Sequence, residues 1–250
     1  MEIHHQHHHD HPQHKEKLWV HYALEFFMLF LAVSAGFFTE NLREKISDNQ
    51  REREYIVSFV EDLKEDTARI NYNIKWREDN EQRMDSLTSL LSSPDYSEHT
   101  AQIYYYARWT LRNHYFVNSD RTIQQLKNAG GMRIISDKKA ADAIMYYDAQ
   151  VKTVNPQMYD IERSQGDRFE DWAMKILDGN ILDRMYGDSL IKMPEGNPPL
   201  LTNDRQVLNG IVTELHFVKS VNKRSIYFEK KLKAQAVSTI EFFQKEYHLQ

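Results

Sequence analysis

Residues 24–41, LEFFMLFLAVSAGFFTEN, form an almost unbroken apolar run broken by one carboxylate, Glu25. Counted from Leu18 to Phe38, the stretch reaches the roughly 20 residues that a helix needs to cross a hydrocarbon core. Trp19 and Tyr22 lie near its first end, where aromatic rings favour the membrane–water interface. A cleaved secretory signal would show a similar stretch, with Val33 and Ala35 as small residues ahead of the cleavage point, but its core is purely apolar. Glu25 breaks that pattern, so residues 18–39 read as a retained transmembrane helix.

Near the middle of a bilayer a charged side chain costs about 2.5–3.5 kcal/mol on insertion scales, and such residues face protein or water. Glu25 sits three residues from the centre of an 18–38 span, about 5 Å along the axis and too deep for a short side chain to reach the headgroups. His21, Glu25, Ala32, Gly36 and Thr39 fall along one stripe at helical steps. Small residues four apart let backbones approach closely, and polar groups on the same face bond across the contact. The stripe is therefore expected to be an intramembrane packing face, in a homo-oligomer or against a partner span. In the competing reading Ala and Gly are merely common in such helices and Glu25 faces lipid.

The preceding segment, MEIHHQHHHDHPQHKEK, carries seven histidines. It is interrupted by Gln6, Asp10 and Pro12, unlike a purification tag, and reads as a native disordered tail over residues 1–17. His7, His8, His9 and His11 could hold a transition metal weakly; a polar tail without a metal is the preferred reading, and no cofactor is expected.

Past Glu40 the pattern becomes amphipathic without a break. No Pro or Gly occurs from Asn41 to Leu91, and Ile56, Phe59, Val60, Leu63, Ile70, Ile74, Leu87, Leu90 and Leu91 recur at helical spacing. One long helix is expected to continue from the span to about residue 92, where Pro94 stops it and Ser97 or Thr100 caps the next. Shorter helices follow: an aromatic one containing Tyr104, Tyr105 and Tyr106, one capped by Ser119 or Asp120 and stopped by Gly130 and Gly131, one capped by Ser136 or Asp137 that ends in Tyr146 and Tyr147, and another after Pro156. The tyrosines read as core rather than as a stacking box. Asp160, Glu162, Asp167, Glu170 and Asp171 lack the fixed spacing of a calcium loop and read as a solvated face. KMPEGNPPLLTND is a loop, and residues 203–246 form a second long helix with Val207, Leu208, Ile211, Leu215, Val218, Ile226, Leu232, Ile240 and Phe243 as its apolar set. Eight glycines and six prolines in 250 residues favour helices over a turn-rich β fold. The fold class is thus all-α: a single N-terminal transmembrane helix continuing into an antiparallel helical hairpin or bundle with a small helical head, the extramembrane domain spanning residues 40–250.

LEFFMLFLAVSAGFFTEN together with RTIQQLKNAGGMRIISDKKAADAIMYYD resembles a family of uncharacterised single-span membrane proteins of Bacteroidota. The matching positions are Glu25, Gly36, Asn41, Leu126, Lys127, Gly130, Ile134, Tyr146 and Tyr147. The His-rich tail departs from relatives rich in Lys and Arg there. The resemblance implies a bacterial inner-membrane anchor with the tail in the cytoplasm and the body in the periplasm, and implies no activity. Charge counting points the other way: Lys15 and Lys17 precede the span and Arg43, Lys45, Arg51 and Arg53 follow it. Large domains translocate regardless of such counts, and a periplasmic body is the expectation.

A net charge of −5 spread over interleaved acids and bases argues against nucleic acid as a partner. With no cysteine, disulfides and thiolate chemistry are excluded. No phosphate loop, H-E-x-x-H pair or G-x-S-x-G elbow is present, and His99, His114, His216 and His248 stand singly. The chain is therefore expected to be no enzyme but a membrane-anchored helical interaction, scaffold or accessory subunit of an envelope complex. The alternative is an ion-coupled, stator-like or transport-associated subunit in which Glu25 carries protons.

Overall fold

The computed structural model describes residues 13–128, 130–187 and 190–249. His7, His8, His9 and His11 lie outside the described residues. The chain divides into two compact units, Met1–Glu52 and Arg53–Gln250. Helices dominate: α1 (Gln13–Ser92), α2 (Thr100–Thr110) after a single 3-10 turn, α3 (Arg121–Asn128), α4 (Lys138–Ala173), α5 (Gly179–Arg184) and α6 (Arg205–Glu246).

The described part of the first unit is the opening stretch of α1. It starts at Gln13 rather than Leu18, so part of the segment expected as a tail is helical. No described residue from 19 to 51 is buried; Trp19, Phe26, Phe27, Leu29, Phe30, Phe37 and Phe38 all stand exposed. Among the described residues, one helix is long and apolar enough to cross a membrane.

In the second unit α1 and α6 run antiparallel, as their matched lengths and periodicities imply. Arg53 donates to the Tyr247 carbonyl, Arg77 reaches Glu229, Lys223 pairs with Glu81, Lys219 with Asp85, and Arg205 donates to the carbonyls of Leu91 and Ser93. As position along α1 rises, its partner along α6 falls. The buried seam of α1 is Ile56, Phe59, Leu63, Asp66, Ile70, Asn73, Arg77, Asn80, Met84, Leu87 and Leu91, alternating steps of three and four without interruption. On α6 the same alternation runs through Leu208, Ile211, Leu215, Val218, Asn222, Ser225, Glu229, Leu232, Ala236, Thr239 and Phe243, of which only Val218 is less than fully buried. That 3.5-residue repeat is the spacing of coiled-coil packing. α4 packs along α6 and completes the bundle.

Two apolar clusters form the core. One gathers Ile56, Phe59, Leu63 and Ile70 of α1 with Ile144 and Tyr147 of α4 and Leu232 and Phe243 of α6. The other gathers Met84, Leu87 and Leu91 with Tyr104 of α2, Phe169 of α4 and Leu208, Ile211 and Leu215 of α6. Each such side chain, fully buried, contributes about 1.5–3 kcal/mol.

Several local expectations are corrected. Pro156 does not start a new helix but lies inside α4, which runs continuously past it. A two-residue antiparallel ladder, β1 (Tyr186–Gly187) with β2 (Leu190–Ile191), interrupts the otherwise all-helical head. The helix at Thr100 has His99 as its N-cap and no side-chain cap, so neither Ser97 nor Thr100 serves. At α3, Ser119 gives its own N–H to Asp66 Oδ1 at 2.6 Å, while Asp62 Oδ2 accepts from Thr122 N at 3.0 Å and Asp62 Oδ1 binds Arg121 at 2.7 Å. A carboxylate of α1 therefore does the capping expected of Ser119 or Asp120. Asp137 and Asp204 cap α4 and α6 through Lys139 N and Gln206 N, each at 2.8 Å. Tyr104 is fully buried and pins the head: its hydroxyl donates to the Pro199 carbonyl at 3.2 Å and accepts from Asp178 N at 2.9 Å. Tyr147 is core as well, whereas Tyr146 is exposed.

Candidate functional site

Between the two apolar clusters each of the three long helices replaces its seam residues with polar ones. α1 supplies Asn73, Arg77 and Asn80; α6 supplies Asn222, Ser225 and Glu229; α4 supplies Glu162 and, less buried, Gln165. Steps of three, four and seven put each set on one helix face, which is how the fold brings them to one level.

Arg77 is the hub, and it is 4% exposed. Its Nε donates to Glu229 Oε1 at 3.0 Å and Nη1 lies 2.9 Å from Glu162 Oε1. Nη2 donates to the His114 carbonyl at 3.3 Å. Asn73 Nδ2 donates to Glu229 Oε1, Ser225 Oγ to Glu162 Oε1, and Asn222 Nδ2 to the Arg77 carbonyl at 3.2 Å. His114 joins through Asn73, with Nδ1 2.6 Å from Asn73 Oδ1. Burial pushes the Glu229 carboxyl above its ordinary range, against the opposing charge of Arg77.

Two carboxylates thus share one buried guanidinium, and the second oxygen of each, Glu162 Oε2 and Glu229 Oε2, has no hydrogen-bond donor among the described residues. Beside Glu162 lies a cavity of about 20 Å³ whose lining includes Arg77, Asn80, Thr110, Gln165 and Asn222. Asn80 Oδ1 and Gln165 Oε1 are likewise buried acceptors without a donor. Beside Glu229, a second cavity of about 300 Å³ is walled by Tyr115, Phe116, Met158 and Tyr159. A groove of about 640 Å³ lies in the head next to Tyr186 and Leu201, and no buried charged side chain is among its lining residues.

A further buried carboxylate stands apart, bonded to Tyr147 of the Ile56 cluster. Asp66 is fully buried and accepts from Ser119 N and, at 2.7 Å, from the Tyr147 hydroxyl; burial raises its pKa to about 6.

Among the described residues, none of the anchor residues named from the sequence is buried. His21, Glu25, Ala32, Gly36 and Thr39 all lie on the exposed part of α1; a side chain at Gly36 would meet nothing, and the Thr39 hydroxyl donates to the Ala35 carbonyl of its own helix at 2.8 Å. Among the acids read as a solvated face, Asp160, Asp167, Glu170 and Asp171 are exposed, but Glu162 is buried against Arg77. Among the described residues no group of three or more His, Asp or Glu is arranged to hold a metal.

Fold and site together define a helical-bundle protein with a buried ionic layer and one strongly apolar, uncovered helix segment. No family model, curated protein or solved structure matches the chain.

Proposed function

We propose that the protein is a single-pass protein of a bacterial inner membrane whose helical body serves as an interaction, scaffold or accessory module of an envelope complex, with the tail in the cytoplasm and the body in the periplasm. The observation that carries this reading is the run of exposed apolar side chains from Trp19 to Phe38. Among the described residues these side chains stand exposed, and in water such a contiguous patch is strongly unfavourable. The stripe of His21, Glu25, Ala32, Gly36 and Thr39 serves as the packing face on a second copy or a partner span, with Glu25 hydrogen-bonded across the contact. The likeness to single-span Bacteroidota proteins supports the same assignment.

The full-length chain is expected to stay with membranes through alkaline carbonate extraction, and release into the soluble fraction would overturn the anchor. Cross-linking in membranes should weaken on Glu25→Leu and on joint Ala32→Ile and Gly36→Ile, and persist on Glu25→Gln; undiminished association in both the Glu25→Leu and the Ala32→Ile, Gly36→Ile proteins leaves the packing face without support. An ion-carrying role for Glu25 differs at one point, because Glu25→Gln would then abolish function with assembly intact. Orientation is read with Ser92→Cys, the sole thiol in a cysteine-free chain. The periplasmic body predicts labelling of intact cells by an impermeant thiol reagent once the outer membrane is permeable, and labelling only after lysis reverses it.

A further inference from the structure

The layer around Arg77 is electrostatically incomplete: Glu162 and Glu229 bring two carboxylates and Arg77 one guanidinium, all three buried. An uncompensated charge in such a setting is expensive, and proteins place counter-charge there. The small cavity shows where. Glu162, Asn80 and Gln165 line it, Glu162 Oε2, Asn80 Oδ1 and Gln165 Oε1 are buried acceptors with no donor among the described residues, and Asn80 is 4% exposed. Thr110 adds a hydroxyl oxygen: its proton goes to the Tyr106 carbonyl at 3.0 Å, leaving the lone pairs free. At about 20 Å³ the cavity has room for one small body.

We propose that this cavity is a binding site for a single dehydrated alkali cation, held by Glu162, Asn80, Gln165 and Thr110. The four groups assigned as ligands offer hard oxygens, the ligand type of alkali and alkaline-earth ions rather than of transition metals, and Arg77, Asn113, Asn222, Trp76 and Met84 are among the rest of the lining. One carboxylate, already sharing its charge with Arg77, suits a monovalent ion; a divalent one draws several carboxylates. The bound cation balances the layer, and by binding only the folded state it raises stability with its concentration. The site belongs to the bundle alone and does not depend on the membrane assignment.

The test uses the full chain in detergent micelles, with thermal unfolding followed by far-ultraviolet circular dichroism in sodium, potassium or N-methylglucamine chloride at one ionic strength. The unfolding midpoint is expected to be higher, by a saturable increment, in at least one alkali chloride than in N-methylglucamine chloride. Gln165→Leu and Glu162→Gln should each erase that increment, while Glu214→Gln, a buried carboxylate outside the cavity, should keep it. Gln165→Leu alters a less buried residue and keeps the test alive if Glu162→Gln does not fold. Equal midpoints in all three chlorides would mean that a water or a proton completes the layer and would overturn the proposal, as would an increment that survives in Gln165→Leu.

Discussion

Replacing Arg77 with methionine keeps the apolar stem and removes the guanidinium that bonds Glu229 at 3.0 Å, Glu162 at 2.9 Å and the His114 carbonyl at 3.3 Å. Both carboxylates then stay buried without their guanidinium partner. Removing one partner of a buried ion pair costs about 3–5 kcal/mol, a large share of the roughly 5–15 kcal/mol that holds a typical domain folded. The loss should depend on pH with a definite sign. Burial already raises the Glu229 carboxyl and Arg77 opposes that rise, so without Arg77 Glu229 binds its proton more tightly folded than unfolded, and the variant's deficit is smallest at low pH and grows as pH rises. Combining Arg77→Met with Glu162→Leu and Glu229→Leu removes the charges altogether, and apolar replacement of whole buried ion clusters is often neutral or stabilising by about 1–4 kcal/mol. Asn73 and Ser225 each lose an acceptor, at about 1–3 kcal/mol apiece, so the triple variant should recover part of the deficit rather than all of it. Urea unfolding monitored by helical ellipticity measures all of this. An Arg77→Met protein within about 1 kcal/mol of the parent, or a triple variant less stable than the single, would refute the account of the layer as a coupled ionic unit.

Asp66, raised to about 6 against an ordinary 3.8, contributes stability that is fully present below pH 3.8 and is lost as pH rises through 6, about 3 kcal/mol in all; in Asp66→Asn that component of the pH–stability curve should vanish, and an unchanged curve would refute it. A Cβ on Gly210 would lie 2.2 Å from the Trp172 ring, so Gly210→Ala should destabilise by about 1–3 kcal/mol. In a Trp172→Ala background the same change should turn neutral or stabilising, because alanine is the better helix former by about 1 kcal/mol; the thermal midpoints of the four proteins decide it. Asp62→Ala removes the acceptor for Thr122 N and Arg121 and should cost about 1–2 kcal/mol, with amide exchange accelerating first in α3.

The long helices were legible because apolar residues recur at helical steps through a stretch free of Pro and Gly, and nothing but a helix buries them all on one side. Pro156 was misread because proline usually ends a helix; inside a helix packed along its length, tertiary contacts outweigh one missing bond. The ionic layer was hidden for a different reason. Searching for apolar periodicity skips Asn73, Arg77, Asn80, Asn222, Ser225 and Glu229, the positions where the seam turns polar. The signal that exposes them is the unbroken alternation of threes and fours: extended from Ile56 to Leu91 regardless of residue type, it lands on every one of the α1 layer residues. Asn80 and Gln165 as facing acceptors could not be read so, because which helices meet, and at what level, is decided by all three chains of contacts at once.

A seam of uniform heptads leaves the register of two antiparallel helices weakly determined, since sliding α6 by seven residues replaces one apolar layer with another. That slip moves α6 about 10 Å along α1. In this protein it would set Arg77 opposite the level from Leu215 to Asn222, centred on Val218, or from Glu229 to Ala236, centred on Leu232, in place of the Asn222 to Glu229 level that now meets it. The guanidinium would then be buried with its partners reduced or gone, at a cost of several kcal/mol, whereas the same slip among leucines costs little. A polar layer near mid-seam therefore selects one register even if it adds nothing to net stability, the role best attested for buried polar groups in coiled coils. On that reasoning the triple apolar variant that recovers stability should lose uniqueness: cysteines introduced one at Asp85 and one at Lys219, joined by an ion pair of 2.9 Å, should cross-link cleanly in the parent, while in the triple variant Asp85 should also cross-link to a cysteine one heptad away, at Val212 or Ile226. A triple variant that cross-links only in the parental register would show that the apolar layers alone specify the pairing.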